Sequence, residues 1–297
     1  MSPPRKDWGL RGRGNFRARD ADDRDASTAR DEWCQLADAI VEAGADVLVC
    51  PPPDDPSLTG MLYTAEAGEL YLNKAGEPVW LLPNMAVEHR RGEKEYIRSF
   101  FEGLDIPCEE IDAVWEAQGD AIRGKTWRQV VHTYGGGPEA RTSKEAYKNV
   151  APRLSPQYMQ LKFEADPYFH GNTFMNVYLG PDVRGGLLVI CPRAVSEDSY
   201  EQVVDFLGEI RIHKISEEES LGYDTNALQV GTTVLAPSTL SGGTEQALTD
   251  IGLTVQKLEF EELFQKGGGA PVCLTNRLWQ VDASEFPEEH RWSCLGE

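Results

Sequence analysis

Leu187-Leu-Val-Ile-Cys-Pro192 is a run of apolar, strand-forming residues stopped by a proline. The same pattern returns at Asp46-Val-Leu-Val-Cys-Pro51, Val79-Trp-Leu-Leu-Pro83 and Thr233-Val-Leu-Ala-Pro237. Proline has no N–H and cannot continue the inner ladder of a sheet, so each run ends in a turn. A helix-like segment and another short strand follow three of the prolines: residues 93–101 then 105–108, 199–207 then 210–212, and 244–250 then 253–255. A looser copy runs from Trp127-Arg-Gln-Val-Val131 through 143–150 to Tyr158-Met-Gln-Leu161. A helix over 29–44 leading into Asp46-Val-Leu-Val49 completes a fifth.

The chain therefore reads as about five β-rich units that each carry one helix. Units this small cannot bury an apolar face alone and must pack around a shared centre. The expected architecture is α/β: a five-bladed α/β propeller with pseudo-fivefold repeats, closed so that no sheet edge is free. Alternating β and α also fits a doubly wound sheet. Against that alternative, no Gly-x-Gly-x-x-Gly opens a helix after the first strand.

Composition narrows the class. The 297 residues suffice for a sizeable core, and 40% hydrophobic with 26% charged residues is ordinary for a soluble globular chain. Lys and Arg number 29 against 49 Asp and Glu, a formal net charge of −20, so nucleic acid is not an expected partner. The basic run Arg5, Lys6, Arg11, Arg13, Arg17 and Arg19 is a local exception, offset at once by the acidic run at 20–25. Residues 1–28 are accordingly read as an N-terminal arm and 29–297 as a single domain. The six cysteines (Cys34, Cys50, Cys108, Cys191, Cys273, Cys294) form no CxxC pair and no zinc-ligand spacing, which suits a reducing compartment. There is no apolar leader and no stretch of membrane-spanning length, so a cytoplasmic location is expected, with no membrane partner. No metal motif such as His-Glu-x-x-His or an EF-hand loop is present, and no metal or other cofactor is expected.

The repeat also indicates where chemistry lies. Near equivalent points, polar residues interrupt an apolar strand context: Glu66, Glu116 with Asp120, His170 with Asn172, Asp224 with Asn226, and Cys273 with Asn276. Each alone is more simply a surface carboxylate or a turn residue. Five in register converge on the axis of a pseudo-fivefold array and are expected to line one central pocket. Within this set, Cys273 follows the glycine run Gly267-Gly-Gly269, which allows backbone to approach a ligand closely. A cysteine beside a turn is ordinarily an inert buried residue. His170, about a hundred positions away, offers the base that a cysteine nucleophile needs.

The motifs Glu116-Ala-Gln-Gly-Asp120, His170-Gly-Asn-Thr173, Asp224-Thr-Asn226-Ala-Leu and Gly267-Gly-Gly-Ala-Pro-Val-Cys273-Leu-Thr resemble those of the pentein superfamily, the guanidine-modifying enzymes. The first looks like that family's Glu-Gly-Gly-Asp with one residue inserted, and the second like its His-x-Asp-Thr. The resemblance implies a five-bladed α/β propeller, a small-molecule substrate, and by family similarity a homo-oligomer. It also implies covalent catalysis, with Cys273 attacking a carbon bonded to three nitrogens. His170, or a cationic substrate itself, would favour the thiolate; His170 would then protonate the leaving group and activate water. Glu66, with Glu116 or Asp120, Asn172 and Asp224, would hold the substrate. Asn172 stands where many arginine-type members carry a second acid, and Glu66 where relatives have Asp or Asn. Arg123, Arg141 and Arg193 form no evident pair to clamp an α-carboxylate. These departures favour a non-arginine substrate, such as a substituted guanidine or 2-nitroimidazole, whose hydrolysis releases nitrite. The chain is compatible with the 2-nitroimidazole nitrohydrolase branch. Arginine, agmatine or methylarginine deiminases or dihydrolases are the alternative. A catalytically silent, propeller-shaped binding protein is the alternative of another class.

Overall fold

The strand-proline runs become the middle strands of small sheets. The structure is a computed structural model that describes residues 1–9, 24–126, 128–136, 141–164, 166–181, 185–279 and 281–292. It contains four three-stranded sheets of one design. The first is β1 (Glu69–Leu72), β2 (Pro78–Leu81) and β3 (Cys108–Glu109). The second is β4 (Ala121–Arg123), β5 (Gln129–Gly136) and β6 (Gln157–Glu164). The third is β7 (Met175–Leu179), β8 (Gly186–Ile190) and β9 (Arg211–Lys214), and the fourth is β10 (Leu228–Val230), β11 (Thr233–Pro237) and β12 (Thr254–Leu258). In each, the first two strands form an antiparallel hairpin and the third lies parallel to the second. A parallel pair needs a crossover, and a helix supplies it every time. These are α2 (Glu93–Gly103), α3 (Tyr147–Leu154), α4 (Glu197–Leu207) and α6 (Gly242–Thr249), with a short α5 (Glu217–Leu221) after β9.

The middle strand is apolar because both its faces are covered. Leu187, Leu188, Val189 and Ile190 of β8 are all buried, whereas Ile212 of the outer strand β9 is exposed. Four separate sheets replace the single sheet of the doubly wound alternative.

The expected fifth unit departs from the pattern. Its helix is present as α1 (Ala26–Glu42), capped by Asp25, whose side chain accepts from Thr28 N. Residues 46–50 then form no three-stranded sheet. Leu48 makes an isolated antiparallel bridge with Arg291. Val49 N donates to His290 O at 2.7 Å and Cys50 N to Met1 O at 2.9 Å. Pro51-Pro52-Pro53 follows directly and offers no donors, so this strand takes its partners from the two ends of the chain.

The described part of the 1–28 segment lies against the body. The Met1 ammonium donates to Leu48 O at 2.7 Å, and buried Trp8 donates its indole N–H to Thr59 O at 3.1 Å. Arg11, Arg13, Arg17, Arg19 and Cys294 lie outside the described residues. No helix among the described residues is long and apolar enough to cross a membrane.

Candidate active site

Each first strand of a sheet is entered through a tight turn, and the polar side chains sit on those turns. Short 3-10 turns at Thr64–Glu66, Ala117–Asp120 and Gly171–Thr173 precede β1, β4 and β7, and a turn at 222–225 precedes β10. Ala117 and Tyr223 adopt left-handed backbone (φ 49° and 70°), which non-glycine residues rarely do. Both sit beside a carboxylate-bearing residue, Glu116 or Asp224.

Hydrogen bonds tie the turns into a hub. Gly171 N donates to Asp120 Oδ1 at 2.9 Å, and Thr225 Oγ1 donates to Asn172 O at 2.9 Å. Val272 N donates to Asn226 O, and Ala65 N donates to Cys273 O at 3.2 Å. Asn276 Nδ2 donates to Thr64 O and Gly68 O, while its Oδ1 accepts from Gln118 Nε2 at 3.0 Å.

Cys273 is buried at this hub. Asn226 Nδ2 donates to its Sγ at 3.2 Å and Asn172 Nδ2 does so at 3.7 Å. Asn226 Oδ1 accepts from Cys273 N at 3.1 Å, so one amide grips both ends of the residue. The glycine run admits this packing: a Cβ on Gly269 would come within 2.6 Å of the Tyr63 ring and 2.9 Å of Cys273 Cβ. Upstream, the Glu32 carboxylate of α1 accepts from Glu261 N, Glu262 N and Leu263 N at 2.8–3.1 Å, anchoring the turn that leads into the glycines. Burial pushes the Cys273 thiol far up, and the nearby Glu66 charge adds to it. The two amide donors act in the opposite direction and do not offset it.

His170 is also buried, and carboxylates surround it. Its Nε2 lies 2.8 Å from Glu116 Oε2, and its Nδ1 lies 3.6 Å from Glu66 Oε1. Burial alone would lower the imidazole, but Asp120, Glu116 and Glu66 outweigh it and the pKa is raised. Burial opposes the Glu116 charge, yet His170, Arg141 and Arg90 hold its carboxyl at about 2. Glu116 Oε1 accepts from Ala86 N at 2.9 Å. A Cβ on Gly119 would sit 3.1 Å from the His170 ring, so the glycine lets this turn pack against the imidazole. No hydrogen bond joins Cys273 to His170; Glu66 is the residue that couples to both.

Glu66, Glu116, Asp120, Asn172, His170 and Cys273 are thus linked through the hub, with Asp120 bonded to Thr133 Oγ1 at 2.6 Å as well as to Gly171 N. Asp224 is turned elsewhere. Its carboxylate accepts from Ser241 N, Ser241 Oγ and Thr244 Oγ1, so it serves the start of α6. The partner of the thiol from this turn is Asn226. Asn226 shared a motif with Asp224 in the sequence, and nothing in the local pattern chose between them.

Arg90 was not expected. It is buried, donating from Nη1 to Glu66 at 2.8 Å and from Nη2 to Glu93 at 2.8 Å. Burial opposes its charge, and the two carboxylates keep it ionised. Arg141 is buried 3.7 Å from Glu116 and stacks over the Phe169 ring. Arg193 is exposed and pairs with Glu217. Among the described residues, no group of three or more His, Cys, Asp or Glu is arranged to hold a metal ion.

No family model matches the chain. A Caenorhabditis elegans protein, the uncharacterized protein ZK1307.1, is 24% identical over 259 residues, covering 86% of this chain and 85% of that protein. Solved structures give a stronger likeness in shape. The N-terminal domain of ArgZ bound to substrate, an arginine dihydrolase from the ornithine–ammonia cycle in cyanobacteria, superposes with a TM-score of 0.79 at 22% identity, covering 94% of this chain and 96% of that one. AgrE in its complex with L-arginine gives a TM-score of 0.78 at 22% identity over 96% of this chain and 40% of its own. A dimethylarginine dimethylaminohydrolase adduct gives 0.64 at 18% identity, covering 92% and 96%. These neighbours are penteins, and four like sheets whose entry turns converge on one hub give this chain the pentein fold.

Proposed function

We propose that the chain is a cofactor-free cysteine hydrolase acting on a carbon bonded to three nitrogens, with a guanidinium-type cation lacking an anchored carboxylate as its substrate. The observation that carries this reading is a buried hub that holds Cys273 Sγ against Asn226 and Asn172 and holds His170 between Glu116 and Glu66.

A thiol raised by burial and by a neighbouring negative charge is protonated at rest, so something positive must arrive before it reacts. A guanidinium beside Glu66 supplies that charge. The Cys273 proton passes to solvent as the cation binds, and the thiolate Sγ then bonds to the central carbon. The leaving nitrogen departs as ammonia or an amine, taking its proton from the His170 imidazolium that Glu116 stabilises. His170, now neutral, accepts a proton from water. The hydroxide adds to the same carbon, the S–C bond breaks, and a urea-type product leaves with the thiol restored.

Charge balance supports a substrate without an α-carboxylate. A carboxylate clamp requires a guanidinium with donors to spare. Of the two guanidiniums that meet the hub carboxylates, Arg90 is already shared between Glu66 and Glu93, and Arg141 faces Glu116. The arginine-type deiminase or dihydrolase reading is disfavoured on this ground. A second reading, hydrolysis of 2-nitroimidazole with nitrite as leaving group, is favoured by one feature: amides rather than acids, Asn226 and Asn172, donate toward the sulfur. Such donors suit developing negative charge on a nitro group. Oligomerisation of the chain belongs to the same reading and rests on the fold alone.

The test is a panel of agmatine, methylated guanidines, arginine and 2-nitroimidazole, with ammonia, amine and nitrite read together. Release of ammonia or amine from a carboxylate-free guanidine, abolished in folded Cys273→Ala, is expected. Full activity in Cys273→Ala would remove the nucleophile, and preference for arginine would remove the substrate reading. Ligand binding without turnover by the wild-type protein would favour a silent binding protein.

A further inference from the structure

We infer that Glu32 is a positioning residue for Cys273: from α1 its carboxylate holds the turn at Glu261–Lys266, and through the glycines that follow it fixes where the sulfur sits. The inference rests on the reading of Cys273 as the nucleophile. Glu32 is buried, and 229 positions separate it from the first N–H it accepts. Its Oε1 accepts from Glu261 N at 2.8 Å and Glu262 N at 3.1 Å, and its Oε2 from Leu263 N at 2.9 Å. The first N–H groups of a helical turn have no partner within it. Phe260, which precedes this turn, has no side-chain acceptor to offer them, so a carboxylate from a distant helix does. Asp25 N, at the head of the same helix, donates in the opposite direction to Glu262 Oε2 at 3.0 Å, and Arg24 Nη2 donates to Lys266 O at 3.1 Å. Residues 24–32 therefore clasp the turn at both ends.

Closely packed backbone lies between the turn and the sulfur. Gly268 N donates to Phe264 O at 3.2 Å, and Gly268 has φ 87°, a left-handed backbone that suits glycine. A Cβ on Gly267 would come within 2.4 Å of Leu263 O and 2.5 Å of Tyr63 Oη, so this glycine lies against both. Gly269 fits between the Tyr63 ring and Cys273 Cβ. Tyr63 leads into the Thr64–Glu66 turn, and Ala65 N of that turn donates to Cys273 O. A shift of residues 261–263 is thus passed on to the thiol and displaces it relative to Asn226, Asn172 and Glu66. Misplacing a reacting group by a small distance costs turnover more than it costs substrate binding. Glu32 acts on the sulfur through the backbone of this segment.

The experiment compares the full chain as wild type, Glu32→Gln and Ile40→Ala. Gln keeps one acceptor oxygen and sets an NH2 donor against backbone donors. Ile40 is buried about two turns further along α1 and lies outside the clasp, so its truncation destabilises the helix packing alone. Labelling of Cys273 by iodoacetamide, read by mass spectrometry of its peptide, reports local opening and needs no substrate. With all three proteins folded by circular dichroism, Glu32→Gln is expected to label at least about tenfold faster than wild type, and Ile40→Ala within about twofold of it. On the substrate that the panel identifies, Glu32→Gln is expected to lower kcat at least about tenfold with KM within about twofold. A wild-type labelling rate in Glu32→Gln, an equal acceleration in Ile40→Ala, or an unchanged kcat would each overturn the inference. Absence of turnover by the wild type would count against the proposed reaction, and labelling would still decide the clasp. Should Glu32→Gln not fold, Glu262→Ala, which removes the acceptor of Asp25 N, carries the labelling test: faster labelling supports the clasp, and a wild-type rate overturns it.

Discussion

Glu116→Gln tests the electrostatics of the hub most directly, because the replacement is isosteric and removes one charge. Glu116 is buried, and its carboxyl stands at about 2 instead of the ordinary 4.5. That difference corresponds to about 3 kcal/mol of native-state stabilisation. A charge-assisted hydrogen bond such as the 2.8 Å contact to His170 is independently worth about 1.5–3 kcal/mol, so the two magnitudes agree. The pKa of Glu116 is depressed, so its contribution is present above pH 4.5 and is lost as pH falls through about 2. His170 is raised above 6.5, so its contribution is full below pH 6.5 and is lost as pH rises through its folded pKa. In the Gln variant the amide oxygen can still accept from Ala86 N, but the imidazolium loses its closest counter-charge. Urea denaturation at about pH 6 should therefore show a loss of about 3 kcal/mol, shrinking as pH rises through the raised folded pKa of His170. The alkaline limb of kcat should move to lower pH and kcat should fall at least about a hundredfold. A variant as stable as wild type near pH 6, or a deficit that does not change with pH, would refute the claim that the pair is charged.

Three further outcomes follow from the same contacts. Free Cys273 is expected to react slowly with neutral iodoacetamide near pH 7.5 and faster with cationic chloroacetamidine, measured by mass spectrometry; faster labelling by iodoacetamide would show that no substrate charge is needed to ionise the thiol. Arg90→Met leaves Glu66 and Glu93 buried without their shared cation and should cost about 3–5 kcal/mol in urea denaturation; a loss below about 1 kcal/mol would mean the pair behaves like a surface ion pair. Asp224→Asn should lower stability by about 1–3 kcal/mol through its bonds to Ser241 and Thr244 while kcat/KM stays within about twofold of wild type; a large kinetic loss would return Asp224 to the substrate site.

The strand-proline runs made the sheets legible because a covered middle strand must be apolar throughout and must end where a proline removes its donor. Three of the four runs named at the outset lie in β2, β8 and β11 or directly continue them. The fourth, at 46–51, has the same composition but pairs with chain ends that no periodicity announces. Cys273, His170, Glu116 and Asn172 could be singled out because each interrupts a repeated apolar context at an equivalent point. Asp224 and Asn226 lie two residues apart, so the local pattern could not tell that the first would bond Ser241 and Thr244 and the second Cys273. Arg90 was invisible as a site residue because its meaning lies in the carboxylates that surround it.

Composition and periodicity by themselves determined the α/β class, the repeated strand–helix–strand unit and the short set of side chains able to do chemistry. These follow from local rules: which residues fill a covered strand, where a proline stops it, and which groups can act as nucleophile or proton carrier. Only the tertiary structure decided which charges cancel, as in the pairing of Arg90 with both Glu66 and Glu93. Charge pairing and desolvation depend on distances between groups far apart in the chain, and those distances exist only once the turns have met at the hub.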